Sequence, residues 1–326
     1  MSGYAAAVCT DLSGPDAVGI EWMARKPLKA GEVRLRVHAA ALNFPDLLMT
    51  RGLYQLRPEP PFIPGLEVAG EVIEVAKGSK TLVGERVCAA TALGGFAEEA
   101  VVLDRALKPW PKGYTPAEAA GFYVTAFTAW HGLVDRGAAQ PGERLLVLGA
   151  GGGVGLAAVK LGCALGLEVV AAARNPKRLE AAGAAGAASL VESDGSMRAA
   201  IEDWYGKRPM DLVFDPVGGP LAEEAAGCLN WGGRYLVIGF AAGGIPKLAF
   251  NRLLLAGYGV LGVRAGEAAR RDPAIAQQGL EGLFSLGRTH NLRPVIGLDL
   301  PLSQASDALH ALDRAEVIGK AVLTMG

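Results

Sequence analysis

Residues 145–155 read Leu-Leu-Val-Leu-Gly-Ala-Gly-Gly-Gly-Val-Gly. A short apolar run meets a glycine cluster, and a helix-like run follows from Val154 to Leu165. This is the strand–turn–helix context in which a glycine-rich loop holds the pyrophosphate of a dinucleotide. Glycines turn the chain sharply and let the backbone approach phosphate without a Cβ in the way. The helix start adds free N–H donors and a partial positive charge. The spacing is Gly149-x-x-Gly152-x-x-Gly155, with Ala150-x-Gly152-x-x-Gly155 as a second way to read it, and not a strict G-x-G-x-x-G. Gly149, Gly152, Gly153, Val154 and Gly155 are the candidate phosphate-binding residues.

The next apolar run, Glu168–Ala173, ends at Arg174. An acid at that place would hold a ribose 2′-hydroxyl and repel a 2′-phosphate. A guanidinium instead pairs with the phosphate through two parallel hydrogen bonds. Asn175-Pro176 reads as an N-cap with proline at the first helical position, which places Arg178 in the first turn. Arg174 and Arg178 therefore predict a preference for NADPH over NADH. No Ser-His-Asp or Cys-His set is recognisable, so hydride transfer without a covalent intermediate is expected.

These residues need a scaffold. Strand-like runs at Leu145–Leu148, Glu168–Ala173, Ala188–Val191, Asp211–Asp215, Arg234–Ile238 and Gly257–Val263 alternate with helix-like ones. That rhythm predicts a doubly wound parallel sheet of six strands. Gly257–Val263 is its last strand and so a sheet edge, which pairing with a second copy would cover. Upstream, residues 1 to about 120 are β-rich, with alternation at Val33–Val37 and similar runs at Val68–Val75 and Val83–Ala90. After residue 265 come a helical segment, Glu267 to Leu286, and a last strand over Val317–Thr324. The fold class is α/β. A β-rich domain from both chain ends (1–122 and 265–326) encloses an inserted dinucleotide-binding domain (123–264).

The bulk numbers fit this. The chain has 326 residues, 51% hydrophobic and 20% charged, with a net charge of −1, so nothing steers it toward nucleic acid or an anionic membrane. No apolar stretch reaches transmembrane length without a charge, and no secretory signal is visible. Cys9, Cys88, Cys163 and Cys228 lie far apart with no C-x-x-C spacing, as in a reduced cytoplasmic protein.

The chain resembles the medium-chain dehydrogenase/reductase superfamily, in its zinc-free quinone oxidoreductase branch related to zeta-crystallin. The resemblance rests on Asn43-Phe44-Pro45-Asp46, Arg51-Gly52-Leu53-Tyr54, Pro64-Gly65-Leu66-Glu67-Val68-Ala69-Gly70 and Gly94-Gly95-Phe96-Ala97-Glu98. It continues through Thr125-Ala126-Phe127-Thr128-Ala129, the glycine loop, Asp215-Pro216-Val217-Gly218-Gly219, Gly232-Gly233-Arg234 and Gly319-Lys320-Ala321-Val322-Leu323. It implies a GroES-like catalytic domain, a Rossmann domain, NADPH and a homo-oligomer, often a dimer.

Zinc-dependent relatives place a histidine ligand where this chain has Leu66 and a cysteine ligand where it has Asn43. Leucine cannot ligate a metal and a neutral amide is a poor substitute for thiolate. None of the four histidines (His38, His131, His290, His310) stands at ligand spacing from another His or a Cys. No metal is therefore expected. Without a Lewis acid to stabilise an alkoxide, an electron-poor acceptor such as a quinone, enone or enal is the natural partner.

The resemblance also implies roles for single residues. Asn43 would contact the nicotinamide region, and Tyr54 would close over the acceptor, possessing a hydroxyl that can donate a proton or hydrogen bond. Asp46 would carry charge near the site or order its loop through hydrogen bonds. Thr125 would contact the cofactor or cap a helix. Gly239 and Phe240, ending the fifth strand, would hold the carboxamide through backbone groups, with plain core as the other reading of Phe240. Lys320 would serve the cofactor site or be a solvated surface lysine. Leu48 and Ser193 replace tyrosines common in the family. Two other functions stay open: an enoyl-thioester reductase, and an NADPH-binding protein with a mainly non-catalytic role.

Overall fold

The computed structural model describes residues 3–326, which form two compact units. The first runs to Val124 and resumes at Arg293, and the second, Thr125–Leu292, is inserted between these parts.

The main sheet of the first unit runs in the order Ile296–Pro301, Lys320–Thr324, Glu32–Ala41, Glu67–Val75, Arg86–Ala90, Leu107–Pro109, and Glu99–Leu103 also pairs with Glu32–Ala41. Its core gathers Val33, Leu35 and Val37, the apolar half of the alternation in the sequence, with Leu47, Phe96 and Leu323. A separate hairpin, Gly3–Cys9 with Val18–Ala24, is tied to the rest by bridges from Ala6 to Ala97 and from Cys9 to Phe62. The strand expected from Val83 starts only at Arg86. Val83 is exposed and Gly84 turns the chain with a φ of 92°, so Gly84 N–H (to Val72 O, 2.8 Å) and Glu85 O (from Val72 N–H, 2.9 Å) meet the neighbouring strand before regular pairing begins.

The second unit holds six parallel strands in the order Ser189–Glu192, Glu168–Ala173, Arg144–Leu148, Met210–Asp215, Leu229–Val237, Gly259–Gly262. The strands come from short apolar runs buried on both faces; Leu145, Leu146, Val147 and Leu148 are all fully buried. In sequence terms the order is 3-2-1-4-5-6, with the reversal between the first and fourth strands, where α/β sheets of this kind bind ligands. Gly259–Gly262 lies at one edge.

One boundary differs from the sequence reading. Residues 265–292 belong with the second unit, not with the returning part of the first. The reason is helix packing. Gly279 and Gly282 of helix Pro273–Leu286 lie so close to the Phe127 and Trp130 rings of helix Pro116–Trp130 that a Cβ would stand 2.8 Å and 2.0 Å from ring carbons. Among the described residues no helix is long and apolar enough to cross a membrane.

Candidate functional site

In the first unit, three strand ends bring the candidate residues together. Ala41 pairs with Glu67 on one side and Val322 on the other. The chain leaves the central strand at Leu42 and Asn43, so both reach the starts of the neighbouring strands, Glu67 and Lys320. The Lys320 ammonium, 4% exposed, donates to Leu42 O (2.7 Å), Asn43 Oδ1 (2.8 Å) and Glu67 Oε1 (2.8 Å). Three protons thus meet three acceptors. Asn43 Nδ2 donates to Glu67 Oε1 at 3.1 Å and to Ala41 O at 3.3 Å. Glu67 Oε2 accepts from the Val124 N–H at 3.1 Å.

This overturns the reading of Lys320 as a solvated surface side chain. It also turns the Asn43 carboxamide onto Lys320 and Glu67. Asp46, fully buried, takes the second of its two expected roles. It accepts from the Asn43 N–H at 2.8 Å and the Gly65 N–H at 3.0 Å, joining the start of helix Phe44–Thr50 to the Gly65 turn. Burial pushes its carboxyl pKa up to about 7, against the pull of those two N–H donors and of Lys320; Glu67 adds to the rise. Tyr54 lies in the irregular segment after that helix, half-buried against the core.

Glu67 was missed as a site residue, standing in the sequence only as part of a motif. Its signal was available: a carboxylate opens one buried strand and a lysine opens another, and charges so placed need a partner.

In the second unit, Gly149 takes a φ of 59° and its carbonyl accepts from Gly152 N–H. Helix Gly153–Ala164 then starts with Gly152 at its N-cap. A Cβ on Gly151 would stand 2.5 Å from the Cβ of Arg178, so the first turn of helix Pro176–Ala184 lies directly on the glycine loop. Asn175 caps that helix by accepting from Arg178 N–H at 3.1 Å. Burial and the nearby charge of Arg174 lower the Arg178 pKa. Two guanidinium groups therefore share the edge of a backbone cradle that side chains would fill. The donor set suits a dinucleotide with a phosphate on its ribose.

Thr125 is buried within helix Pro116–Trp130, nine residues past its first residue, so it is not at the N-cap position. Thr115 holds that position, accepting from Glu118 N–H at 3.2 Å. Gly239 and Phe240 follow the strand Leu229–Val237, and Phe240 is 37% exposed, which removes the core reading. The four cysteines are free thiols. Among the described residues no three His, Cys, Asp or Glu side chains gather as a metal site.

A parallel dinucleotide-type sheet inserted into a strand-rich unit is the architecture of medium-chain dehydrogenases and reductases. Comparison with known families and structures agrees. Residues 29–112 match the alcohol dehydrogenase GroES-like domain, and residues 153–278 match the zinc-binding dehydrogenase domain. The chain is 33% identical over 325 residues to quinone oxidoreductase-like protein 2 of Bos taurus, covering 99% of this chain and 93% of that one. The quinone oxidoreductase of Thermus thermophilus, solved also in complex with NADPH, superposes with a TM-score of 0.83 at 37% identity, over 98% of this chain and 99% of that one. The CurK enoyl reductase gives a TM-score of 0.88 at 25% identity, over 99% of both chains. The chain belongs to the medium-chain dehydrogenase/reductase superfamily, in its zinc-free, quinone oxidoreductase-like branch.

Proposed function

We propose that the protein is an NADPH-dependent reductase that delivers a hydride to a quinone or similar conjugated carbonyl acceptor without a metal. The contact between Gly151 and Arg178, with Arg174 alongside, carries this reading, because it joins a pyrophosphate cradle to a 2′-phosphate grip. When bound, the cofactor supplies a hydride from its nicotinamide ring. The chain's own residues supply position. Backbone N–H groups at Gly153 and Val154 would take the pyrophosphate, while the Gly152 N–H, held by the Gly149 carbonyl, shapes the loop, and Thr125, Gly239 and Phe240 would contact the nicotinamide half.

In the first unit Leu66 cannot ligate a metal, and the Lys320 ammonium already occupies the acceptors beside Asn43. A second cation there would be repelled. The acceptor must then spread the incoming charge over its own conjugated oxygens, as a quinone does. Asn43, Asp46, Glu67 and Lys320 form a fixed buried network within the first unit, and Tyr54 would donate a hydrogen bond to the reduced acceptor oxygen.

A second reading, reduction of an enoyl thioester, is favoured by the likeness to CurK. The test is NADPH oxidation by the purified protein with 1,4-naphthoquinone and, separately, with crotonyl-CoA. Turnover of the quinone is expected. Turnover of the thioester alone selects the second reading. NADPH binding with no turnover on either selects a mainly binding role. We also infer a homodimer, formed at the sheet edge Gly259–Gly262.

A further inference from the structure

Asp215 is a buried carboxylate at the C-terminal end of the fourth parallel strand, 1% exposed. Its Oδ1 accepts from the N–H groups of Val217 (2.7 Å) and Gly218 (2.9 Å). Its Oδ2 accepts from the Tyr235 hydroxyl at 2.7 Å, on the neighbouring strand Leu229–Val237. Tyr235 is itself buried, and burial with the facing carboxylate raises its pKa, so the phenol stays a donor.

The carboxylate thus fixes the turn 216–219 against the fifth strand. That turn is joined in its own right to the loop after the fifth strand. Ala241 N–H donates to Pro216 O at 3.1 Å, Ala242 N–H to Val217 O at 2.9 Å, and Gly219 N–H to Gly244 O at 2.9 Å. On its other side the turn reaches the glycine loop: a Cβ on Gly149 would stand 2.7 Å from Val217 Cγ2. One carboxylate therefore fixes the turn that meets two further loops at the C-terminal ends of the strands.

The strand order says which half of a dinucleotide these loops serve. The glycine loop follows the first strand, Arg144–Leu148. Arg174 follows the second strand, on one side of it, and Asp215 follows the fourth, on the other. With the pyrophosphate over the glycine loop and the 2′-phosphate at Arg174, the nicotinamide half extends over the turn 216–219 and the loop 239–244. We propose that Asp215, oriented by Tyr235, is the positioning residue for the nicotinamide half of the cofactor. It touches neither cofactor nor acceptor and acts through the turn it holds. The inference rests on NADPH as the cofactor.

Binding measurements with two ligands test it: NADPH, and 2′,5′-ADP, which has the adenosine phosphates but no nicotinamide. The variants are Tyr235→Phe, Asp215→Ala and Asp215→Asn. The asparagine keeps an oxygen for the Val217 and Gly218 N–H groups and an amide toward Tyr235. Tyr235→Phe and Asp215→Ala should weaken NADPH about tenfold or more while leaving 2′,5′-ADP within about twofold, because only one half loses its fixed contacts. Asp215→Asn should recover part of the loss. Equal weakening of both ligands would show a general structural role and overturn the proposal, as would unchanged NADPH affinity in Tyr235→Phe. If Asp215→Ala does not fold, Tyr235→Phe and Asp215→Asn carry the comparison alone. Wild-type protein that binds 2′,5′-ADP but gains nothing from the nicotinamide half also overturns it. Wild-type protein that binds neither ligand defeats the cofactor assignment itself.

Discussion

Lys320 Nζ and Glu67 Oε1 lie 2.8 Å apart, and both side chains are almost wholly buried. A buried charge pair is costly to assemble, because each ion loses its water. Here the loss is offset by complete hydrogen bonding: Leu42 O and Asn43 Oδ1 take the remaining ammonium protons, while Asn43 Nδ2 and Val124 N–H serve the carboxylate. The pair joins the first third of the chain to its last strand beside the candidate catalytic residues.

Removing one partner should therefore cost more than removing both. Lys320→Met leaves a buried carboxylate uncompensated, which should destabilise the protein by about 3–5 kcal/mol. Adding Glu67→Gln removes that charge and should recover part of the loss, giving a double variant more stable than additivity allows. Urea unfolding of the two single variants and the double checks this. Strict additivity would show that the two groups do not act as a unit.

Asp46 gives a pH dependence. Its folded pKa, raised to about 7 by burial, lies above that of an unfolded aspartate. The folded state therefore favours the protonated form. Its contribution is fully present below the unfolded value of about 4 and is lost as pH rises through about 7. Asp46→Asn cannot titrate, and its amide nitrogen faces a backbone N–H that loses an acceptor. The stability gap between wild type and Asp46→Asn should be widest below about pH 4, narrow between about pH 4 and 7, and stay narrow at pH 8. A gap that widens with rising pH would mean a depressed carboxyl.

The sequence made the scaffold legible where pattern maps directly onto geometry. The six apolar runs became the six parallel strands, and Asn175-Pro176 became a capped helix start with Arg178 in its first turn. The glycine cluster was readable because backbone approach to phosphate needs that residue type. Glu67 and Asp215 were not readable as members of buried hydrogen-bond networks. Their partners, Lys320 and Tyr235, come from distant segments, and only strand register sets them side by side. The domain boundary after 264 failed for a similar reason. The helical run containing Gly279 and Gly282 was legible, but its packing against Phe127 and Trp130, about 150 residues earlier in the chain, was not.

Arg174 and Arg178 should set cofactor choice. A hydrogen bond to a charged group is worth about 1.5–3 kcal/mol, so Arg174→Ala or Arg178→Ala should weaken NADPH by about one to two orders of magnitude. NADH, lacking the 2′-phosphate, should bind almost as before. Gly151→Ala should act differently. Its Cβ would press on Arg178 from within the phosphate loop, so it should weaken NADPH and NADH together. Fluorescence titrations with both cofactors separate these patterns, and equal loss of both cofactors in the arginine variants would refute the assignment.

The last prediction concerns the edge strand Gly259–Gly262, which among the described residues has no further strand beside it, its Gly262 carbonyl accepting from Arg136 Nε at 3.1 Å. Beside it in sequence, helix Phe250–Ala256 carries Phe250 (86% exposed), Leu254 (78%) and Leu255 (77%). Three large apolar side chains on one short helix, next to a sheet edge, form a surface that monomers in water rarely keep. A second copy related by a two-fold axis would extend the sheet and cover both features at once, since an isologous contact presents the same strand and helix on each side. Phe250→Glu with Leu254→Glu introduces charge at exposed positions, so the fold should survive while association fails. Sedimentation at micromolar concentration should show a dimer for the wild type and a monomer for the double variant, with similar thermal unfolding of the monomer unit by circular dichroism. A wild-type monomer, or a dimer that survives both glutamates, would place the contact elsewhere or remove it.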